Sequence, residues 1–182
     1  MIVFSDRIFI LIPKNGCCSI MDHYGVNAWT SRRGNVHEAL LYLDGDYCHL
    51  PAAMVPSRFS SLPTEAIVRN PWDRTVSRYV YSIRTKGLDM SFSDFVDSQY
   101  IDPKYQNDPG YAKWGPVSWT QQVEWLNSDT NVHKFEEYDF KLHVNRSVYD
   151  DHASYYDKRL SNLVGDYYAD DIKRFNYKPT FV

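Results

Sequence analysis

Two short segments, about fifty residues apart, hold the residues whose types and spacing could do chemistry. In the first, an apolar run from 8 to 12 is followed by Lys14 and Gly16. In the second, the apolar residues 66–68 are followed by Arg69. Each segment has the pattern of a buried strand, a turn that carries a cation and the start of a helix, and helix N-terminal N–H groups favour anions. Together the two turns predict a ligand with two separate anionic groups.

The elements that must position these turns are strands that alternate with helices. Continuous apolar runs are typical of buried strands, and Asn70 before Pro71 is typical of a helix start. Alternation of this kind predicts an α/β fold with a mainly parallel sheet, and the chain length fits one domain over residues 1–182. The predicted strands are 7–12, 65–68 and 131–135, and the predicted helices flanking the turns are 18–29 and 71–86.

The rest of the chain gives weaker signals. Leu160, Leu163, Val164, Tyr167, Ile172 and Phe175 recur at helical spacing and predict one long helix over 156–175. Three shorter helices are predicted at 91–97, 118–126 and 137–143. Residues 100–116 contain several prolines and glycines and are expected to form a long loop.

Composition excludes several classes of protein. A net charge of −3 and the lack of a basic–aromatic repeat argue against a nucleic-acid binder, and no apolar run is long enough to predict a membrane span. The three cysteines, Cys17, Cys18 and Cys48, lack metal-ligand or CxxC spacing, which favours a reducing compartment such as the cytoplasm. We expect Cys17 and Cys18 to be small residues packed in a turn. No metal site is predicted, and a nucleotide triphosphatase is disfavoured because the spacing GxxxxGK[ST] is missing.

The two segments resemble the sulfotransferases that use 3′-phosphoadenosine 5′-phosphosulfate (PAPS), in particular their carbohydrate-type branch. The family's second motif, Arg-Asn-Pro-x-Asp-Arg-x-Val-Ser-x-Tyr, matches at every specified position from Arg69 to Tyr79. Of the first motif, Pro-Lys-Thr-Gly-Gly-Thr-Ser, the chain keeps Pro13, Lys14, Gly16 and Ser19, but has Asn15, Cys17 and Cys18 at the other positions. Weaker similarities to this family continue to the C-terminal residues.

The resemblance implies a three-layer, P-loop-like fold and a role for each motif. Residues Pro13, Lys14, Asn15, Gly16, Cys17, Cys18 and Ser19 would hold the 5′-phosphosulfate. Lys14 would also stabilise charge on the leaving phosphate, while Arg69 and Ser77 would bind the 3′-phosphate. PAPS would be the donor and 3′-phosphoadenosine 5′-phosphate (PAP) the product, with no metal. Independently of the family, Ser77 lies about two helical turns beyond Arg69 and can face the same anion.

A general base must take the proton of the acceptor hydroxyl. His49 is the favoured candidate, roughly where related polysaccharide sulfotransferases keep theirs, and His37, Glu38 and His23 remain alternatives. The acceptor is expected to be a saccharide, and aromatic residues of the segment 100–119 could form one wall of its cleft or a buried cluster. Arg74 is expected to pair with a surface carboxylate or to support the turn. The competing interpretation is a catalytically weak module that binds PAP, PAPS or a glycan.

Overall fold

A computed structural model describes residues 1–26, 39–41, 48–100, 119–140 and 146–179. Some sequence predictions therefore lie outside the described residues. These are the candidate bases His37 and Glu38, most of the aromatic segment 100–119, and parts of the predicted helices at 18–29, 118–126 and 137–143.

The described strands form one mixed sheet, in which four of the five strands run in the same direction and one runs opposite. This sheet with its helices confirms the α/β class. The strands are β1 (Ile2–Phe4), β2 (Ile8–Ile10), β3 (Ala39–Leu41), β4 (Thr64–Val68) and β5 (Asn131–Lys134), in the order β3-β1-β2-β4-β5. β1 is antiparallel to both β2 and β3. β2 is parallel to β4, with Ile10 opposite Ala66, and β4 is parallel to β5. The carboxyl ends of β2 and β4 therefore lie side by side, which places the turn after β2 next to the end of β4.

The strands that flank the two motifs were predicted correctly, with ends that differ by a few residues. β1 was not predicted, because its three apolar residues, Ile2 to Phe4, are too few to give a periodic signal before the turn at Ser5 and Asp6. The N–H of Phe4 donates to the Arg7 carbonyl, which closes the tight turn to β2.

Five α-helices are described: α1 (Cys17–His23), α2 (Pro71–Lys86), α3 (Phe92–Tyr100), α4 (Lys158–Tyr167) and α5 (Ala169–Phe175). α2 has the predicted bounds. The Asn70 side chain accepts from the N–H of Trp72, and Gly87 ends the helix at a φ of 62°. Both ends follow from local chemistry that the sequence displays.

Three helix predictions were wrong in the described residues. The predicted single helix at 156–175 is two helices, with Tyr168 between α4 and α5 at a φ of −100° and a ψ of 28°. The described part of 118–126 holds only a short 3₁₀ turn, Gln122–Trp125, and the described part of 137–143 holds no helix. Among the described residues, no helix is long and apolar enough to cross a membrane.

Contacts divide the chain into two compact units, and each has its own core. The first unit, Met1–Val68 with Gln122–Arg146, contains the sheet and α1. The second unit, Arg69–Gln121 with Ser147–Val182, contains α2, α3, α4 and α5. The expectation of a single domain stays a prediction. The first core contains Ile2, Phe4, Phe9, Leu11, Ile20, Met21, Val26 and Ile67, and the second contains Trp72, Val76, Phe92, Phe95, Val96, Leu160 and Val164.

Candidate functional site

The turn after β2 has an unusual backbone at its lysine. Pro13 and Lys14 are the central residues of a four-residue turn, which the N–H of Asn15 closes on the Ile12 carbonyl at 3.3 Å. Lys14 has a φ of 71° and Gly16 a φ of 82°. A left-handed lysine costs about 1–3 kcal/mol, and strain of this kind is concentrated at functional sites. Backbone N–H groups in turns of this kind can form concavities that bind anions.

Asn15 fixes this turn to the neighbouring strand. Its side chain is 1% exposed, and Nδ2 donates to the Ile67 carbonyl and to Oε1 of Gln122, both at 2.7 Å. Oδ1 has no hydrogen-bond partner among the described residues. The described contacts of Asn15 therefore hold the turn, and its role in binding the phosphosulfate stays a prediction.

The cysteines at the start of α1 face different surroundings. Cys17 is buried, its thiol donates to the Ile12 carbonyl at 2.9 Å, and burial raises its pKa. It is a packed small residue, as expected. Cys18 is partly exposed and packs at the edge of the first core. Ser19, the next residue of α1, is 5% exposed.

Gly16 lies against aromatic rings. A Cβ atom at this position would be 2.7 Å from Cζ of Phe140 and 3.2 Å from Cε2 of Phe135. Only glycine combines the left-handed φ with this close approach. The two rings thus hold the turn from the side on which a side chain would project.

His49 lies next to the strand that leads into the turn. Its Nδ1 is 2.8 Å from the Leu11 carbonyl. Because a carbonyl can only accept, the neutral imidazole carries its proton on Nδ1 and its basic lone pair on Nε2.

His49 is neutral at physiological pH. Burial lowers its pKa to about 4, and the nearby N-terminal amine and Lys14 lower it as well, while the hydrogen bond to Leu11 acts in the opposite direction. An unprotonated imidazole can accept a proton, although one with a lowered pKa is a weak base, and a lysine ammonium can stabilise negative charge on a leaving group.

His23, one of the alternatives, is exposed at the end of α1, where its ring packs edge-on against Tyr24 at a centroid distance of 4.7 Å. The described residues give it no orienting contact like the one that Leu11 gives His49.

The second motif builds a buried network around Arg69. Nε of Arg69 is 2.6 Å from Oδ2 of Asp73, and Nη2 donates to the Tyr149 hydroxyl at 2.6 Å. That hydroxyl in turn donates to Oδ1 of Asp73 at 2.7 Å. Arg69 is 9% exposed and Ser77 is 3% exposed. Asp73 and Ser77 share one face of α2 because they are spaced by four, and Arg69, two residues before the helix, reaches that face through Asp73.

Arg69 and Ser77 both lie near the Tyr149 hydroxyl. Besides its contacts to Arg69 and Asp73, the Tyr149 hydroxyl is close enough to the Ser77 side chain for the serine to lower its pKa. Burial raises the pKa of Tyr149, so it stays protonated. The spacing argument for a shared ligand is consistent with this geometry, although binding of a 3′-phosphate stays a prediction.

Sequence reasoning missed Tyr149 and His152. Tyr149 contacts Arg69 from 80 positions away, which no local spacing could indicate. His152, to which the sequence analysis assigned no role, has its Nδ1 3.7 Å from Oδ1 of Asp73. Asp73 is a first-turn charge of α2 and also the partner of both Arg69 and Tyr149.

The expectation that Arg74 could pair with a surface carboxylate was wrong. Arg74 is fully buried, and its Nη1 donates to the Thr120 carbonyl at 3.0 Å. Burial lowers its pKa, and Tyr168 and the buried Asp171 act in the opposite direction. Its role in the described residues is to support the second core.

The aromatic segment is described only at its ends. Tyr100 is 6% exposed, and its hydroxyl is 2.9 Å from Oγ1 of Thr75 and 3.0 Å from the Tyr168 hydroxyl. Tyr100 therefore belongs to a buried cluster, which was the alternative to an acceptor wall. A shallow cavity of about 360 Å³ lies elsewhere in this unit, lined by Val148, Tyr149, Asp150, Ser154 and Tyr155.

In the described part of the chain, no three His, Cys, Asp or Glu side chains are grouped as metal ligands, and the expectation that no metal is used stays a prediction. No family model, no curated protein and no solved structure matches this chain.

Proposed function

We propose that this chain transfers the sulfuryl group of PAPS to a hydroxyl of a carbohydrate acceptor, on a three-layer sulfotransferase fold in the cytoplasm. The observation that carries the proposal is the pair formed by Lys14 and His49. The lysine sits in a strained turn. The imidazole of His49 is neutral, is near enough to Lys14 for the ammonium to lower its pKa, and has its Nδ1 proton fixed on the Leu11 carbonyl.

In the proposed step, the acceptor oxygen attacks sulfur and the bond from sulfur to the 5′-phosphate oxygen breaks. His49 Nε2 takes the hydroxyl proton. The electron pair of the broken bond stays on the phosphate of PAP, where the Lys14 ammonium stabilises it. Residues 13–19 hold the phosphosulfate, and Arg69 and Ser77 hold the 3′-phosphate. As in phosphoryl transfer, positioning and charge stabilisation do most of the work.

The experiment is a transfer assay with sulfur-labelled PAPS and a panel of saccharides, run beside calorimetric titration with PAP. We expect Lys14→Ala to lower turnover by about 10²–10³-fold, the range for losing a group that stabilises charge in the transition state. Lys86→Ala, an exposed lysine at the end of α2, is the control and keeps full activity. Wild-type turnover that survives Lys14→Ala unchanged would refute the proposal.

The 3′-phosphate half of the proposal needs a substitution of Arg69 that disturbs the fold less than alanine does. Removing Arg69 takes the ion-pair partner from the half-buried Asp73, and a change of this kind costs about 3–5 kcal/mol where the pair is fully buried. Arg69→Lys keeps the charge but loses the planar fork, and we expect weaker PAP binding. Ser77→Ala is expected to weaken PAP binding as well, while Arg84→Ala, exposed on the same helix, leaves it unchanged.

A binding module without turnover is the second candidate. It is favoured by the contacts of Arg69, which are made to Asp73 and Tyr149, and by the inward-facing thiol of Cys17. PAP binding by a protein that sulfates no saccharide of the panel would select this candidate.

A further inference from the structure

The Tyr149 hydroxyl contacts two side chains of the second motif and lies close to a third. It accepts from Arg69 and donates to Asp73, and Ser77 is close enough to lower the pKa of Tyr149. Within their own unit, the two proposed phosphate ligands, Arg69 and Ser77, thus lie around one hydroxyl of this chain.

We propose that the Tyr149 hydroxyl holds the position that the 3′-phosphate of the nucleotide takes, so that binding exchanges one for the other. The proposal rests on the proposed function and adds an internal competitor to its donor site. Tyr149 would thereby set how strongly the 3′-phosphate contributes to nucleotide affinity.

The hydrogen-bond chemistry of the two occupants supports the exchange. A hydroxyl can accept from Arg69 and donate to Asp73 at once, which closes a ring of three short contacts with the Arg69–Asp73 ion pair. A phosphate dianion accepts strongly from an arginine and a serine, and is the better partner for a guanidinium. It cannot donate to Asp73. His152, with Nδ1 3.7 Å from Asp73, is the neighbour placed to replace that donor.

The segment around Tyr149 is lightly held. Val148 is 84% exposed, and Ser147 reaches the Ser77 carbonyl only at 3.3 Å. The Tyr149 ring also borders the shallow cavity, with the Tyr155 centroid 6.3 Å away. The ring is half-buried and packs on the outside of the second core, so leaving Arg69 toward the cavity gives up that contact but moves no fully buried core residue.

An internal competitor lowers apparent affinity by the fraction of molecules in which the site is closed. Tyr149→Phe removes the hydroxyl and keeps the ring. We expect its dissociation constant for PAP to fall about tenfold, which corresponds to a site closed in roughly nine molecules of ten. AMP lacks the 3′-phosphate, so its binding is expected to be the same in both proteins.

The test is calorimetric titration of PAP and AMP into wild type, Tyr149→Phe and the control Tyr155→Phe, after thermal unfolding has shown that all three are folded. Tighter PAP binding by Tyr149→Phe alone, with AMP unchanged, supports the exchange. Equal or weaker PAP binding by Tyr149→Phe refutes it and makes Tyr149 a ligand or a bystander. If the folded wild type binds no PAP, both the proposed function and this inference are refuted.

Hydrogen exchange on the wild-type protein gives a second readout that needs no variant. Ligands usually protect the segments they touch. Here we expect PAP to slow exchange in the first turns of α2 and to speed it at residues 147–150, because Tyr149 leaves its site. Protection of both segments would contradict the exchange.

Discussion

At the scale of single residues, His49 links the proposed chemistry to stability. Its pKa falls from 6.5 to about 4 on folding, so the unfolded chain binds a proton that the folded chain does not between these two values. The free energy of unfolding therefore decreases as the pH falls from about 6.5 to about 4, and His49 contributes nothing to this slope at higher pH.

We expect His49→Gln to weaken the pH dependence of stability. With 1.36 kcal/mol per pKa unit, the wild type should lose up to roughly 3 kcal/mol more than the variant when the pH is lowered through this range. Urea unfolding at about pH 7 and about pH 4.5 measures the difference. His23→Gln, an exposed histidine, is the control. Equal slopes for wild type and His49→Gln would show that His49 is not buried in its neutral form.

The same residue predicts the kinetic consequence of losing the base. General bases contribute about 10²–10⁴-fold to rate, so His49→Gln should lower turnover by that factor and leave PAP affinity nearly unchanged. Single-turnover assays beside PAP titration separate the two effects. A variant that loses PAP binding in proportion to turnover would place His49 in the donor site instead.

At the scale of elements, two of the three described glycines with positive φ, Gly16 and Gly87, test how tightly the proposed phosphosulfate turn is built. Alanine in the left-handed region costs about 1–2 kcal/mol. Gly87→Ala should cost no more than this, because nothing lies within 4 Å of the added Cβ. Gly16→Ala should cost a further ~1–3 kcal/mol, because its Cβ would overlap the Phe140 ring.

Urea unfolding of the two alanine variants measures the difference, and Phe140→Leu in the Gly16→Ala background should recover part of it. If the two alanine variants are equally stable, the Phe140 ring does not restrain the turn.

What could be predicted from the sequence depended on whether the signal was local. α2 was predicted from Asn70 to Gly87 because its cap, its first proline and its terminal glycine are adjacent in the chain. The division at Tyr168 was not, because the apolar repeat continues through it. There the chain is held by distant partners: the Tyr168 hydroxyl donates to the Trp119 carbonyl at 2.7 Å.

The same limit applies to the candidate site. Lys14 and Arg69 could be proposed as ligands because cations that follow strands are visible in the sequence. The left-handed backbone of Lys14, the bonds from Asn15 to Ile67 and Gln122, and the contact of Tyr149 with Arg69 depend on tertiary structure. These are the features that decide how each motif is presented to a ligand.

At the scale of the whole molecule, ligand binding should stabilise the folded chain by mass action. PAP at about one hundred times its dissociation constant adds about 2.7 kcal/mol. For a chain of this size, that raises Tm by about 5–10 °C, since 1 kcal/mol corresponds to about 2–4 °C. Differential scanning fluorimetry with PAP and AMP measures the shift. Equal shifts at equal concentrations would show that the 3′-phosphate is not recognised.

The three thiols differ in burial, so alkylation of one of them can report on nucleotide binding. Cys17 and Cys48 are 8% exposed, and burial raises the pKa of both, so neither forms a thiolate easily. Cys18 is the partly exposed thiol, and it sits beside the turn that carries Lys14. An alkylating reagent should therefore add one label per molecule before any second, and intact mass would show it. Slower labelling in the presence of PAP would show that the bound nucleotide covers this turn. The experiment needs no substitution in the protein.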